Sequence, residues 1–179
     1  MKNAKHIFKL TFTLLLICAI VAAALAGVNA ITSPIIAQRN AEKTQAAIEK
    51  VLPGGGQLLE SFPDETGLVQ AVYASETGYA VQVAPAGFGG TIVMMVGIVD
   101  GRVTAIDIIS HAETPSLGAV AAENNAKGVE FRHQFAGLSG RLAVIRDGGH
   151  IDALTSATIT SRAITNGVNA ALACVAAMG

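Results

Sequence analysis

The stretch "TIVMMVGIVDGRVTAIDII", Thr91 to Ile109, decides the architecture of most of this chain. Two runs rich in β-branched residues flank Asp100-Gly101, the two-residue pair that a tight hairpin connection prefers. The reading is therefore two antiparallel strands. Upstream, "LVQAVYA" (68–74) and "GYAVQVA" (78–84) repeat the same texture between Gly, Pro, Asp and Ser. Downstream, "RLAVI" (141–145) reads as a further strand, and the alanine-rich start of 117–137 as helix. In the final segment Ile164, Val168, Leu172 and Val175 fall on one helical face, with Arg162, Thr165, Asn166 and Asn169 on the other. Strands followed by helices give an α+β domain, and the ~150 residues after the N-terminal segment suit one such domain.

That N-terminal segment differs in kind. No Asp, Glu, Lys or Arg occurs between Lys9 and Arg39, and "LTFTLLLICAIVAAALAGV" (10–28) is long enough for a bilayer, which takes about 20 apolar residues. A retained anchor is favoured over a cleaved signal peptide, whose apolar region usually spans about 7–15 residues, although "VNA" at 28–30 offers small residues for cleavage. Lys2, Lys5 and Lys9 place the N-terminus in the cytoplasm and the remainder outside it. The expected organisation is a cytoplasmic N-terminus and membrane anchor over 1–30, an amphipathic helix and linker over 31–56, and the α+β domain over 57–179. The helix is stopped by Pro53 and the three glycines that follow.

Composition narrows the function. With 51% apolar residues, 14% charged and a net charge of −1, the chain has no basic footprint for nucleic acid. Cys18 and Cys174 are poorly placed to pair, so no disulfide is expected, and His111, His133 and His150 lack metal-ligand spacing. "GFGGTI" (87–92) imitates a dinucleotide fingerprint without its third glycine or its strand-to-helix context. Neither a metal nor NAD is expected.

The hydroxyl-rich "DALTSATITSRAIT" (152–165) precedes and enters the final helix. Thr158 would lie at or near the helix N-terminus, where unpaired N–H groups and the dipole favour an anion. Thr158, Thr160 and Ser161 could equally serve as caps. On physics alone capping is the favoured reading.

"DALTSAT" resembles the flavinylation motif of the FMN-binding domain family, Asp-x-x-(Ser/Thr)-Gly-Ala-Thr. Asp152 matches the acid, Thr155 the hydroxyl residue, Ala157 the alanine and Thr158 the threonine esterified to the phosphate of FMN, while Ser156 replaces the glycine. "HAETPSLG" (111–118) is similar to the family's Glu-Thr-Pro-Gly-Leu-Gly loop, with Ser116 in a glycine place. "GFGGTIVMMVGIVDGRV" (87–103) is similar to the strand-turn-strand before that loop. Adding the single anchor, the chain resembles the G subunits of Rnf complexes, the ion-translocating ferredoxin:NAD oxidoreductases.

The resemblance implies an electron-carrying subunit, not catalytically complete alone, with covalent FMN on Thr158 and with Glu113, Thr114, Leu117 and Gly118 against the isoalloxazine. Other membrane and redox subunits of the complex are its implied partners. A threonine hydroxyl is a poor nucleophile at neutral pH, and "TSAT" holds no His or Lys to activate it. The family accordingly implies a separate Mg-dependent flavin transferase that moves FMN from FAD. The alternatives are the C subunit of a sodium-translocating NADH:quinone reductase and a non-redox exported interaction domain.

Overall fold

The computed structural model describes the backbone of residues 2–179 and the side chains of residues 8–179. Contacts divide it into two units, residues 1–42 and residues 43–179. Residues 2–42 of the first unit belong to helix α1 (Lys2–Val51), which passes Pro34 without interruption. No helical interruption therefore marks the expected boundary at 30/31. Its most apolar window has a mean hydropathy of 2.6 and is 0% buried, long and apolar enough to cross a membrane.

The second unit is a mixed helix and sheet domain. Five strands, β1 (Gln57–Leu58), β2 (Val69–Ala74), β3 (Tyr79–Val83), β4 (Val93–Val99) and β5 (Arg102–Ser110), pair antiparallel in chain order. Asp100 and Gly101 form the β4–β5 connection with φ of 50° and 69°, the two positive angles that a type I′ turn requires. Helix α2 (Ala126–His133) is capped by the Asn125 side chain, which accepts from the Gly128 N–H at 2.8 Å. The final helix is α3 (Thr158–Met178).

Side-chain alternation gives the sheet two buried faces. On one, Val81, Val83, Met94, Val96 and Ile98 share a core with Ile164, Val168 and Ala171 of α3. On the other, Ala80, Met95 and Ile109 pack with Ala47, Ile48, Val51 and Leu52, from the end of α1 and just beyond it. Each of the larger aliphatic side chains gains about 1.5–3 kcal/mol by leaving water. Gly97 permits the close approach, because a Cβ there would fall 2.3 Å from the Val51 carbonyl oxygen. That oxygen, left without a partner inside the helix, accepts the Thr104 hydroxyl at 2.8 Å. The Lys50 ammonium also meets the Asp107 carboxylate of β5.

Two expectations fail. "RLAVI" is not a strand: Val144 makes one parallel bridge to Ile151, and Ile145–Asp147 form a 3-10 turn. The backbone N–H and C=O of Leu142 are instead taken by the Asn169 side chain of α3, each at 2.8 Å, so no neighbouring strand is needed. Thr165 is 2% exposed rather than on a solvated face, and its hydroxyl donates to the Ser161 carbonyl at 2.8 Å. That bond offsets the cost of burying it.

Candidate functional site

The two motif-bearing segments meet at one cleft. Ser116 and Leu117 of the 111–118 loop, Val120, Lys127, Glu130, Phe131 and Gln134 in and around α2, and Asp152 to Ser156 line a cavity of about 590 Å³. Phe131 fixes α2 there, edge-on to Phe135 with ring centroids 5.6 Å apart. A larger cleft of about 1050 Å³ runs beside the second half of α3 and the β2–β3 and β4–β5 turns, and holds none of the motif residues. The smaller one is the candidate site.

Ser116 and Ser156 both have φ of 62°, in the left-handed region where an L side chain costs about 1–2 kcal/mol. These are the two positions at which the resembling motifs carry glycine. Pro115 to Leu117 turn, and the N–H groups of Leu117 and Ala119 both donate to the Thr114 carbonyl at 3.2 Å, closing the loop into the 3-10 turn Gly118–Ala122. Thr114 and Leu117 are exposed, whereas Gly118 and Glu113 are buried. The Glu113 side chain is turned inward, accepting from Thr160 and from the backbone of Gly89.

The 152–158 segment is held from α2. Gln134 Nε2 donates to the Asp152 carbonyl at 3.1 Å, and the Asp152 N–H donates to Gln134 Oε1 at 2.6 Å. Nothing local in the sequence marks Gln134 for this role. Its only signal is its position at the end of α2, eighteen residues from its partner. Of the expected cofactor residues Leu117, Asp152, Thr155 and Ser156 line the cleft, whereas Glu113, Thr114, Gly118, Ala157 and Thr158 are not among its lining residues.

Thr158 is the first residue of α3, and Ala157 precedes it without a side-chain cap. The hydroxyls that follow are committed elsewhere. Thr160 donates to Glu113 Oε2 at 2.6 Å, and Ser161 donates to the Ala157 carbonyl while accepting the Leu154 N–H, both at 3.0 Å. Neither caps the helix as the sequence allowed, and both are 1% exposed or less. Among the described residues the Thr158 hydroxyl makes no hydrogen bond, nor do the N–H groups of Thr158, Ile159 and Thr160 at the helix start. Thr158 is partly exposed. One turn further, Arg162 Nε reaches Asp147 Oδ2 at 2.6 Å, and this hydrogen bond holds the Asp147 carboxyl below its usual range.

A family model described as the FMN-binding domain matches residues 87–173, and one described as the RnfG N-terminal region matches residues 1–51. Over 176 residues the chain is 34% identical to the G subunit of the proton-translocating ferredoxin:NAD(+) oxidoreductase complex of Clostridium ljungdahlii, covering 96% of this chain and 92% of that relative. It is 34% identical over 191 residues to the G subunit of the Na(+)-translocating ferredoxin:NAD(+) oxidoreductase complex of Acetobacterium woodii, covering 92% and 89%. The G subunit of the ion-translocating oxidoreductase complex of Methanosarcina acetivorans is 28% identical over 190 residues, with 99% and 98% covered.

Proposed function

The chain belongs to the family of G subunits of ion-translocating ferredoxin:NAD(+) oxidoreductase complexes, and from that membership we propose an electron-carrying membrane subunit that holds FMN through a phosphoester on Thr158. The observation that carries the attachment is the hydroxyl at the start of α3. Thr160, Ser161 and Thr165 have theirs bonded inside the fold, whereas among the described residues the hydroxyls of Thr155, Ser156 and Thr158 have no internal partner, and of these three Thr158 is the residue at the helix start.

The residues present fit the group. The cleft volume of about 590 Å³ lies in the ordinary range for small-molecule sites, about 300–1,000 Å³. The unpaired N–H groups of Thr158, Ile159 and Thr160 suit a phosphate, whose charge the helix terminus stabilises by about 0.3–1 kcal/mol when exposed. The left-handed turns at Ser116 and Ser156 shape the backbone on two sides of the cleft. Bound FMN would supply one- and two-electron redox chemistry.

For the attachment, the Thr158 oxygen forms a bond to the FMN phosphorus of FAD. The anhydride bond to AMP breaks, and AMP leaves with its electron pair. The hydroxyl proton passes to a base of a Mg-dependent flavin transferase, since among the described residues no side chain hydrogen-bonds this hydroxyl. The transferase and the other subunits of the complex are the partners of this reading. The charge distribution around residues 10–28 supports a single span of the plasma membrane, with the N-terminus cytoplasmic and the FMN-binding domain extracytoplasmic.

Co-expression of the full chain with a flavin transferase should give a protein that stays yellow after denaturation, heavier by one FMN less one water, with the label on the peptide containing Thr158. Thr158→Ala should abolish the label and leave the chain folded, because no hydrogen bond is lost. A label that persists in Thr158→Ala, or maps to Thr155 or Thr160, refutes the assignment.

A further inference from the structure

Beyond the attachment residue, we propose that Glu113 and Thr160 form a buried positioning pair that sets where the Thr158 hydroxyl stands for flavin transfer. This rests on the reading of Thr158 as the acceptor.

Glu113 is 7% exposed and Thr160 1%. The Glu113 carboxyl group joins three segments distant in sequence. Oε2 accepts the Thr160 hydroxyl of α3 at 2.6 Å, and Oε1 accepts the Gly89 N–H, from the loop between β3 and β4, at 3.1 Å. Its own backbone N–H donates to His111 Nδ1 at 3.2 Å, bracing the 111–118 loop that carries it.

Room for the carboxyl group is provided by two glycines. A Cβ at Gly87 would lie 2.2 Å from Oε1, and one at Gly118 would lie 2.3 Å from Oε2 and 2.5 Å from the Thr160 hydroxyl oxygen. Any larger residue at either place would displace this acid. Glycine is thus demanded by a side chain rather than by backbone angles, since neither Gly87 nor Gly118 has a positive φ.

The consequence for Thr158 follows from helix geometry. Thr160 lies in the same first turn of α3, so fixing its side chain to Glu113 fixes the rotation and rise of the turn that presents Thr158. The first turn of a helix has no preceding turn to bond to and frays unless something outside it provides a partner. Glu113 is that external partner, and it also ties the turn to the Ser116–Leu117 wall of the cleft. Both of its oxygens act as acceptors, so methionine, close to it in size and without a strong acceptor, removes both bonds; glutamine would not, since its NH₂ can donate to the Thr160 hydroxyl oxygen.

The test uses the full chain in detergent micelles with FAD, Mg²⁺ and a purified flavin transferase, following denaturation-resistant fluorescence with time at saturating FAD. Thr160→Val, which keeps shape and removes the hydroxyl, should slow initial loading about ten- to a hundredfold, the scale expected from misplacing a reacting group. Thr160→Ser should restore it to within about twofold. Glu113→Met should be slowed at least as much, and the double variant Glu113→Met/Thr160→Val no further than Glu113→Met alone, because the bond between the pair is already gone in it. Amide exchange at Gly89 and across the first turn of α3 should rise in the slowed variants, while cooperative unfolding persists. A folded Thr160→Val chain that loads at the wild-type rate overturns the proposal and leaves the Thr158 reading intact. Loss of cooperative unfolding in both Thr160→Val and Glu113→Met also overturns it, by making the pair part of the fold itself. A folded wild-type chain that takes no flavin removes the Thr158 reading and this inference together.

Discussion

Ser116 and Ser156 share the same left-handed backbone angle, φ 62°, on two different segments that line one cleft. Each therefore holds a conformation that glycine adopts freely. Replacing either by glycine removes about 1–2 kcal/mol of local strain and adds about 0.4–1 kcal/mol of unfolded-state entropy. Ser116→Gly and Ser156→Gly should each leave the chain equally stable or up to about 1.6 kcal/mol more stable in urea unfolding. Flavin loading should be unchanged or faster. Destabilisation by either change would show that its hydroxyl makes a contact of its own.

The end of α1 is more sensitive. Gly97→Ala would put a Cβ 2.3 Å from both the Val51 carbonyl oxygen and the Thr104 hydroxyl oxygen. One of these contacts is backbone and cannot swing away. A loss of about 1–3 kcal/mol is expected, on the scale of overpacked cores, read as a lower urea midpoint with an unchanged slope. A Gly97→Ala chain of wild-type stability would show that α1 does not seat against β4 as described.

Acid should reveal a surface turn. Burial raises the pKa of Asp64, but the hydrogen bonds from the Thr66 side chain and from the backbone of Thr66, Val69 and Gly67 outweigh it, so the folded value lies below the ordinary 3.8. A depressed carboxyl pKa contributes stability that is present above the unfolded value and lost as pH falls through the folded one. Wild-type stability should therefore exceed that of Asp64→Asn by a constant margin from pH 7 to about 5, and the margin should narrow below about pH 4. A margin that is flat down to about pH 2 would contradict the assignment of these bonds.

Orientation is checked by a reporter fused after Gly179. With Lys2, Lys5 and Lys9 preceding the uncharged 10–28 stretch, an exported-only enzyme should be active and a cytoplasmic-only one inactive. The reverse pattern would put the proposed flavin domain on the wrong side.

Much of the fold is written locally. Asp100-Gly101 announces the β4–β5 hairpin because two consecutive positive φ angles are a demand that few dipeptides meet, and the spacing of Ile164, Val168, Leu172 and Val175 announces α3 because one period satisfies one core face. What stayed hidden depends on partners far along the chain. The strand expected at 141–145 is absent because the Asn169 amide, 27 residues later, takes the backbone groups of Leu142. Thr160 and Ser161 look like caps until Glu113, 47 residues earlier, and Leu154 take up their side chains. The cleft needs Gln134 as well, and a glutamine near the end of a short helix carries no pattern of its own.

The order of the sheet bears on how the protein comes into being. Every strand pairs with the one made just before it, so β2 to β5 can zip up hairpin by hairpin as the ribosome delivers them. The valines and Met94 of the α3-facing side must then wait for their cover. Roughly 100 residues separate Val72 from Leu172, which at about 5–20 residues per second is roughly 5–20 seconds during which a nascent chain shows an oily, half-built sheet to its surroundings. The half-built sheet is thus the state in which newly made copies are most prone to clump, and that exposure ends when α3 docks.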